Sequence, residues 1–228
     1  MTNSRRKWGD NLLDGVKLSA FKPAGLPPES QAAPNKGRRA LNDSADELIL
    51  DAAGGWLEGV RRVPSPNRDS RPDGNAPELI VVHSISLPAG HFGTAHVEAL
   101  FCNCLDPEAH PTFAEIAPLK VSAHALIRRD GEIVQFVPFT ERAWHAGVSS
   151  YRGRDCCNDF SVGIELEGCD WQPFADAQYR RLASLVGLLR GAWPAIGADG
   201  LVGHSDIAPG RKTDPGPHFD WGKLRSLL

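Results

Sequence analysis

The stretch Ser161-Val-Gly-Ile-Glu-Leu-Glu167 changes character at every step, with Val162, Ile164 and Leu166 facing one way and Gly163, Glu165 and Glu167 the other. That period of two belongs to a β-strand with one face on a core. Working outward, Leu79-Ile-Val-Val82 is a β-branched apolar run bounded by Pro77 and His83-Ser84, and it suits a buried strand. Ala125-Leu-Ile-Arg128 and Ile133-Val-Gln-Phe-Val137 flank Arg129-Asp130-Gly131-Glu132, and Asp-Gly between two such runs predicts a hairpin. Between Ala175 and Ala192, the apolar positions Ala177, Leu182, Leu185, Val186, Leu188 and Leu189 form the stripe of an amphipathic helix. Gly93 to Cys102 and Asp220 to Leu228 read as further helices, and Leu201-Val202 as one more short strand. Strands alternating with helices predict an α/β fold, a sheet flanked by helices.

Upstream of this pattern the sequence changes. Residues 1–40 carry eight basic and three acidic residues, a balance of +5, and include Pro23, Pro27, Pro28 and Pro34. With few apolar residues and no period, they read as a flexible basic extension. Ser44-Ala-Asp-Glu47 has the form of a capping box ahead of Leu48, Ile49 and Leu50, so a helix is predicted to begin there. The expected organisation is an N-terminal extension over 1–43 and one folded domain over 44–228.

The chain has 228 residues and a formal net charge of −3, from 25 Lys+Arg against 28 Asp+Glu. That balance argues against a dedicated nucleic-acid binder, which shows a strongly basic face. No apolar run approaches the roughly 18 residues needed to span a bilayer, so no membrane partner is expected. Ser4-Arg5-Arg6-Lys7-Trp8 superficially looks like a twin-arginine signal, but Asp10, Asp14 and Lys17 interrupt any apolar segment after it. A cytoplasmic location is expected, and no protein partner is evident. The five cysteines show no C-x-x-C pair and read as reduced thiols.

The chemistry has to come from the histidines and carboxylates. A catalytic zinc takes three protein ligands drawn from His and carboxylate and keeps a fourth position open. His83 ends an apolar strand, His204 follows another, and Asp214 lies ten residues later in a loop stiffened by Pro209, Pro215 and Pro217. A lone strand-end histidine is more often a hydrogen-bonded core residue than a ligand, and no compact motif such as H-E-x-x-H decides the matter. Glu165 and Glu167 share a strand face that is either solvated or functional. Lys212 is either an oxyanion-stabilising cation or a surface lysine.

Trp144-His-Ala-Gly147, Asn158-Asp-Phe-Ser-Val-Gly-Ile-Glu-Leu-Glu-Gly168 and Gly203-His-Ser-Asp-Ile-Ala-Pro-Gly-Arg-Lys-Thr-Asp-Pro-Gly216 together resemble the type 2 zinc N-acetylmuramoyl-L-alanine amidases. Arg61-Arg-Val-Pro-Ser-Pro66 and Val121-Ser-Ala-His124 extend the resemblance, which runs from about Trp56 to the C-terminus and is greatest to the cytoplasmic anhydro-muramyl amidases. It implies a central mixed sheet of five or six strands, as in peptidoglycan-recognition proteins, with Zn2+ on the floor of an open groove. It implies His83, His204 and Asp214 as metal ligands and Glu165 with Lys212 as the catalytic pair. The implied substrate is an anhydro-muramyl peptide, cut between muramic acid and L-alanine during peptidoglycan recycling. A wall-lytic amidase and a non-catalytic muropeptide-binding module are the alternatives. Ser84, Trp144, His145, Arg154 and Asn158 are the implied substrate contacts. Ser84 stands where close members have Asn, and Arg154 is the basic residue nearest to Cys156, where they have arginine. His91, His96, His110, His124 and His218 are left with structural or substrate-lining roles.

Overall fold

The computed structural model describes residues 47–51 and 55–228, so the 1–43 extension lies outside the described residues. In chain order the elements are β1 (Arg61–Arg62), β2 (Arg68–Ser70), β3 (Leu79–Ile85), α1 (His96–Phe101), α2 (Phe113–Ile116), β4 (Ala125–Ile127), β5 (Ile133–Gln135) and β6 (Glu141–Ala143). They continue as β7 (Ser150–Tyr151), β8 (Arg154–Asp155), β9 (Ser161–Glu167), α3 (Asp176–Ala192), β10 (Leu201–Gly203), α4 (His204–Ile207) and α5 (Trp221–Ser226).

Six strands form one mixed sheet in the order β1-β5-β4-β9-β3-β10. The β4–β5 hairpin is antiparallel, while β4–β9, β9–β3 and β3–β10 are parallel. The two longest strands, β3 and β9, lie side by side at the centre, and all seven residues of each are buried. Burial on both faces explains why β3 reads as a continuous apolar run.

Alternation on these strands separates the packing on one sheet face from that on the other. Ile80, Val82, Val162, Ile164 and Leu166 pack under Leu182, Leu185, Val186 and Leu189 of α3. Those four helix positions recur at i, i+3, i+4 and i+7, and each buried aliphatic contributes about 1.5–3 kcal/mol. The helix ends before Trp193-Pro194, since the residue preceding a proline is steered away from helical backbone. On the opposite face Ile85, Leu126 and Val134 meet Phe101 of α1 and Phe113 of α2. The hairpin turn closes with Gly131 at φ +88, where a Cβ would press on Ala177 at 3.3–3.6 Å, so this corner of the sheet can approach α3.

Three expectations are corrected here. No helix begins at Leu48: Leu50 bridges Leu57 antiparallel, and Glu58 N–H donates to the Ile49 carbonyl at 2.9 Å. Leu48 and Leu50 pack on the core while Ile49 between them is 52% exposed, a period of two that outweighs the capping signal. Secondly, β3 does not stop at His83 but continues through Ile85, because Ser84 and Ile85 pair with Leu166 and Glu167 of β9. Thirdly, α1 is shorter than Gly93–Cys102, occupying only His96–Phe101. All five cysteines are free, as expected.

Candidate metal centre

The sheet face opposite α3 carries the site. His83 lies inside β3, and its register partner on β9 is Glu165. Facing partners on adjacent strands share a sheet face, so both side chains rise from the same floor. One strand to the other side, β10 ends at Gly203 and His204 opens α4, where Asp206 Oδ2 accepts from Gly203 N–H at 2.7 Å. Asp214 is brought back by its carbonyl, which accepts from Ser205 N–H at 3.0 Å.

These placements converge. His83 Nδ1 lies 3.0 Å from His204 Nδ1 and 3.0 Å from Asp214 Oδ2, and His204 Nδ1 lies 3.1 Å from the same oxygen. All three residues are buried. His204 Nε2 is 3.1 Å from the Ala146 carbonyl, which can only accept, so a neutral ring carries its proton on Nε2 and turns its Nδ1 lone pair to Asp214. An imidazole lone pair aimed at a buried carboxylate oxygen is repulsive unless a cation lies between them. Two imidazole nitrogens and one carboxylate oxygen in this geometry therefore fit a three-ligand divalent metal site, and the donor set is that of a catalytic zinc.

The electrostatics agree. Burial first, then the neighbouring His204, pushes His83 down to about 4, with the adjacent Asp214 carboxylate pulling the other way. Burial opposes ionisation of Asp214, but His204 and His83 overcome it and hold the carboxyl well below the ordinary range. Deprotonated donors are what a metal requires.

Glu165 is buried, its Oε2 has no hydrogen-bond partner among the described residues, and it lines a cavity of about 40 Å³ together with Lys212 and the three candidate ligands. Burial first, then the facing Asp214 carboxylate, pushes its carboxyl well above the ordinary range, with Lys212 opposing. The solvated-face reading of Glu165 and Glu167 is thereby removed, since β9 is flanked by β3 and β4 rather than lying at an edge. Glu167 has a different occupation: it accepts from Gly93 N–H at 2.6 Å, Arg128 at 3.2 Å and Arg129 N–H at 3.2 Å.

The expected substrate contacts divide. Trp144 and His145 line the cavity. Ser84 borders it too, but it pairs with Leu166, so the pleat turns its side chain to the α3 face. Asn158 uses its side-chain oxygen to accept from His145 N–H at 3.0 Å and Ala146 N–H at 2.8 Å, which pins the 144–147 segment. Arg154 is not brought to the metal centre. It pairs with Glu78 at 2.9 Å, lies over the Phe160 ring at 3.9 Å, and lines a separate cavity of about 370 Å³ at the start of β3. Sequence reasoning missed Ser161, whose hydroxyl lies 3.2 Å from His145 Nε2, and the role of His124, whose Nδ1 accepts from Gly163 N–H at 3.0 Å.

Comparison with known proteins now adds identity to geometry. A family model described as N-acetylmuramoyl-L-alanine amidase matches residues 73–217. The chain is 62% identical over 174 residues to the 1,6-anhydro-N-acetylmuramyl-L-alanine amidase AmpD of Salmonella typhimurium strain SL1344, covering 76% of this chain and 92% of that protein. It is 50% identical over 180 residues to the AmpD of Haemophilus influenzae, covering 79% and 98% respectively. Among solved structures, the crystal structure of a selenomethionine AmpD derivative superposes with a TM-score of 0.76 at 60% identity, covering 79% of this chain and 99% of that one. AmpDh3 from Pseudomonas aeruginosa, in complex with an anhydromuramic pentapeptide, gives 0.54 at 29% identity, covering 70% and 63%. With a matched family model over most of its length and relatives at this identity, the chain belongs to the N-acetylmuramoyl-L-alanine amidase family.

Proposed function

We propose that this protein is a zinc-dependent amidase that cleaves the amide between anhydro-N-acetylmuramic acid and L-alanine, acting in the cytoplasm in peptidoglycan recycling. The observation that carries the reading is the approach of His83 Nδ1, His204 Nδ1 and Asp214 Oδ2 to within 3.0–3.1 Å of one another beside Glu165. The relatives named 1,6-anhydro-N-acetylmuramyl-L-alanine amidase supply the substrate class. No helix among the described residues is long and apolar enough to cross a membrane, which is compatible with the cytoplasmic assignment.

His83, His204 and Asp214 would hold the zinc. When bound, zinc supplies Lewis acidity, making water acidic near neutral pH and polarising a carbonyl. Glu165 then does the proton work. Its carboxylate accepts the proton of the attacking water, and the same oxygen later delivers it to the L-alanine amine as the carbon–nitrogen bond breaks. Burial favours the protonated form of Glu165, so the proton is held until the leaving group needs it. Lys212, buried and lining the same cavity, would stabilise the charge that develops on the carbonyl oxygen. Trp144 forms one wall for the muropeptide, its indole N–H anchored on Asp69 Oδ1 at 3.1 Å.

The test is incubation of the zinc-loaded protein with anhydro-muramyl-L-Ala-D-Glu-meso-diaminopimelate, followed by mass spectrometry. Release of anhydro-muramic acid and the free tripeptide is expected. Intact substrate after exhaustive incubation with zinc-loaded protein would overturn the reading.

A further inference from the structure

The rings behind His83 form a continuous chain of hydrogen bonds that ends on the backbone. His83 Nε2 lies 2.9 Å from His145 Nδ1, His145 Nε2 lies 3.2 Å from Ser161 Oγ, and Ser161 Oγ lies 2.5 Å from the Cys157 carbonyl. All three side chains are buried, so water does not compete for these contacts. The direction of every bond can be worked out from the far end. A carbonyl cannot donate, so the single hydroxyl proton of Ser161 goes to Cys157 O. Ser161 Oγ is then an acceptor, and the proton between it and His145 belongs to His145 Nε2. A neutral His145 keeps a lone pair on Nδ1, which accepts from His83 Nε2–H. His83 is left with its Nδ1 lone pair facing His204 and Asp214.

We propose that His145 is a positioning residue for the metal centre, rather than a substrate contact: through the Ser161–Cys157 anchor it fixes the tautomer and ring orientation of His83, so that His83 Nδ1 is presented to zinc as a lone pair. The proposal rests on the zinc reading above. Two further features support it. The His145 ring is buried and its polar partners are His83 and Ser161, with no carboxylate among them, so the site offers nothing to stabilise a charged ring. The opposing residue on β9 is Gly163, where a Cβ would lie 2.3 Å from the His145 ring, so the strand leaves the ring its place. The backbone of His145 is pinned as well, by Asn158. Partners of this kind behind a ligating histidine commonly alter metal affinity 10–100-fold.

The test is zinc affinity, read by competition with a fluorescent chelator, with ring tautomers read by long-range 15N–1H NMR of the metal-free wild type. His145→Phe keeps the ring and removes the acceptor, and it should weaken zinc binding about 10–100-fold. His145→Asn places an amide oxygen near the lost Nδ1 and should recover most of that loss. Ser161→Ala, which touches neither His83 nor the cavity, should weaken zinc binding in the same direction by a smaller factor. The NMR should show His145 protonated on Nε2 and bare on Nδ1, a result that does not depend on any variant folding. His145→Phe with wild-type zinc affinity, His145→Asn as weak as His145→Phe, or a proton on His145 Nδ1 would each overturn the proposal. A wild type that binds no zinc would instead overturn the underlying reading, with the tautomer result standing on its own.

Discussion

His83 on β3 and Glu165 on β9 are register partners on adjacent parallel strands, so one pleat carries both a proposed metal ligand and the proposed proton carrier. Their relative position is set by the ladder of two fully buried seven-residue strands rather than by a loop. A site on sheet strands is held more tightly than one on connections, and catalysis of this kind depends on sub-ångström placement.

Glu165→Gln keeps the side-chain volume and removes proton transfer, and Lys212→Met keeps most of the stem and removes the charge. Neither is a proposed ligand, so zinc content should be unchanged while kcat falls by at least about 10²-fold and KM moves far less. Steady-state kinetics with metal analysis on the same samples check this. A near-wild-type Glu165→Gln would place the proton carrier elsewhere.

Glu167→Gln should behave differently although it lies on the same face. Its carboxylate gathers Gly93, Arg128 and Arg129, so its loss should appear as a stability decrease of about 1–3 kcal/mol. Per-molecule turnover of the folded fraction should remain close to wild type. Chemical denaturation alongside kinetics separates the two effects, and a catalytically dead but fully stable Glu167→Gln would exchange the roles assigned to the two glutamates.

Gly163→Ala puts a methyl 2.3 Å from the His145 ring, and the backbone of a central strand cannot retreat. The ring must shift, so overpacking should lower stability by about 1–3 kcal/mol and zinc affinity should fall with it. Thermal melts of metal-free protein and chelator competition measure the two effects. Unchanged affinity would show that the ring can move without consequence for His83.

Metal-free protein should lose stability in mild acid. His124 is held down to about 3, by burial first and by Arg71 second, against an ordinary value of 6.5. Between those values the unfolded chain takes up a proton that the folded chain refuses, so stability falls as pH drops from about 6.5 towards 3 and levels off below. One such group contributes about 1.4 kcal/mol per pH unit inside that window. His124→Phe should therefore show a denaturation free energy whose slope between pH 6 and 4 is smaller by about one proton. An identical slope would mean that His124 is charged in the folded protein.

The sequence is informative wherever short-range periodicity reports on burial. The alternation at 161–167, the apolar run at 79–82, the Asp130-Gly131 hairpin and the i, i+3, i+4, i+7 stripe of Leu182, Leu185, Val186 and Leu189 all correspond to elements of the fold. What stays hidden is long-range placement. His83 is 121 residues from His204 and 131 from Asp214, so no spacing rule connects them, and only the family motifs bring them together before the fold is known. The alternation places Glu165 and Glu167 on one face but cannot say that β3 and β4 flank that strand. The placement of Arg154 away from the metal centre is hidden for the same reason, because Glu78 and Phe160 hold it from distant parts of the chain. Local signals also mislead at Leu48, where a capping pattern and a period of two compete and the core decides.

The most direct test of the metal-hydrolase account is a zinc titration of exhaustively chelated protein, with release of the L-alanyl tripeptide followed at each addition. The account predicts no turnover at zero zinc, a linear rise, and a sharp break at about one equivalent per chain, as one three-ligand site requires. Full turnover in the metal-free protein, or activity that shows no relation to the zinc bound, would contradict it.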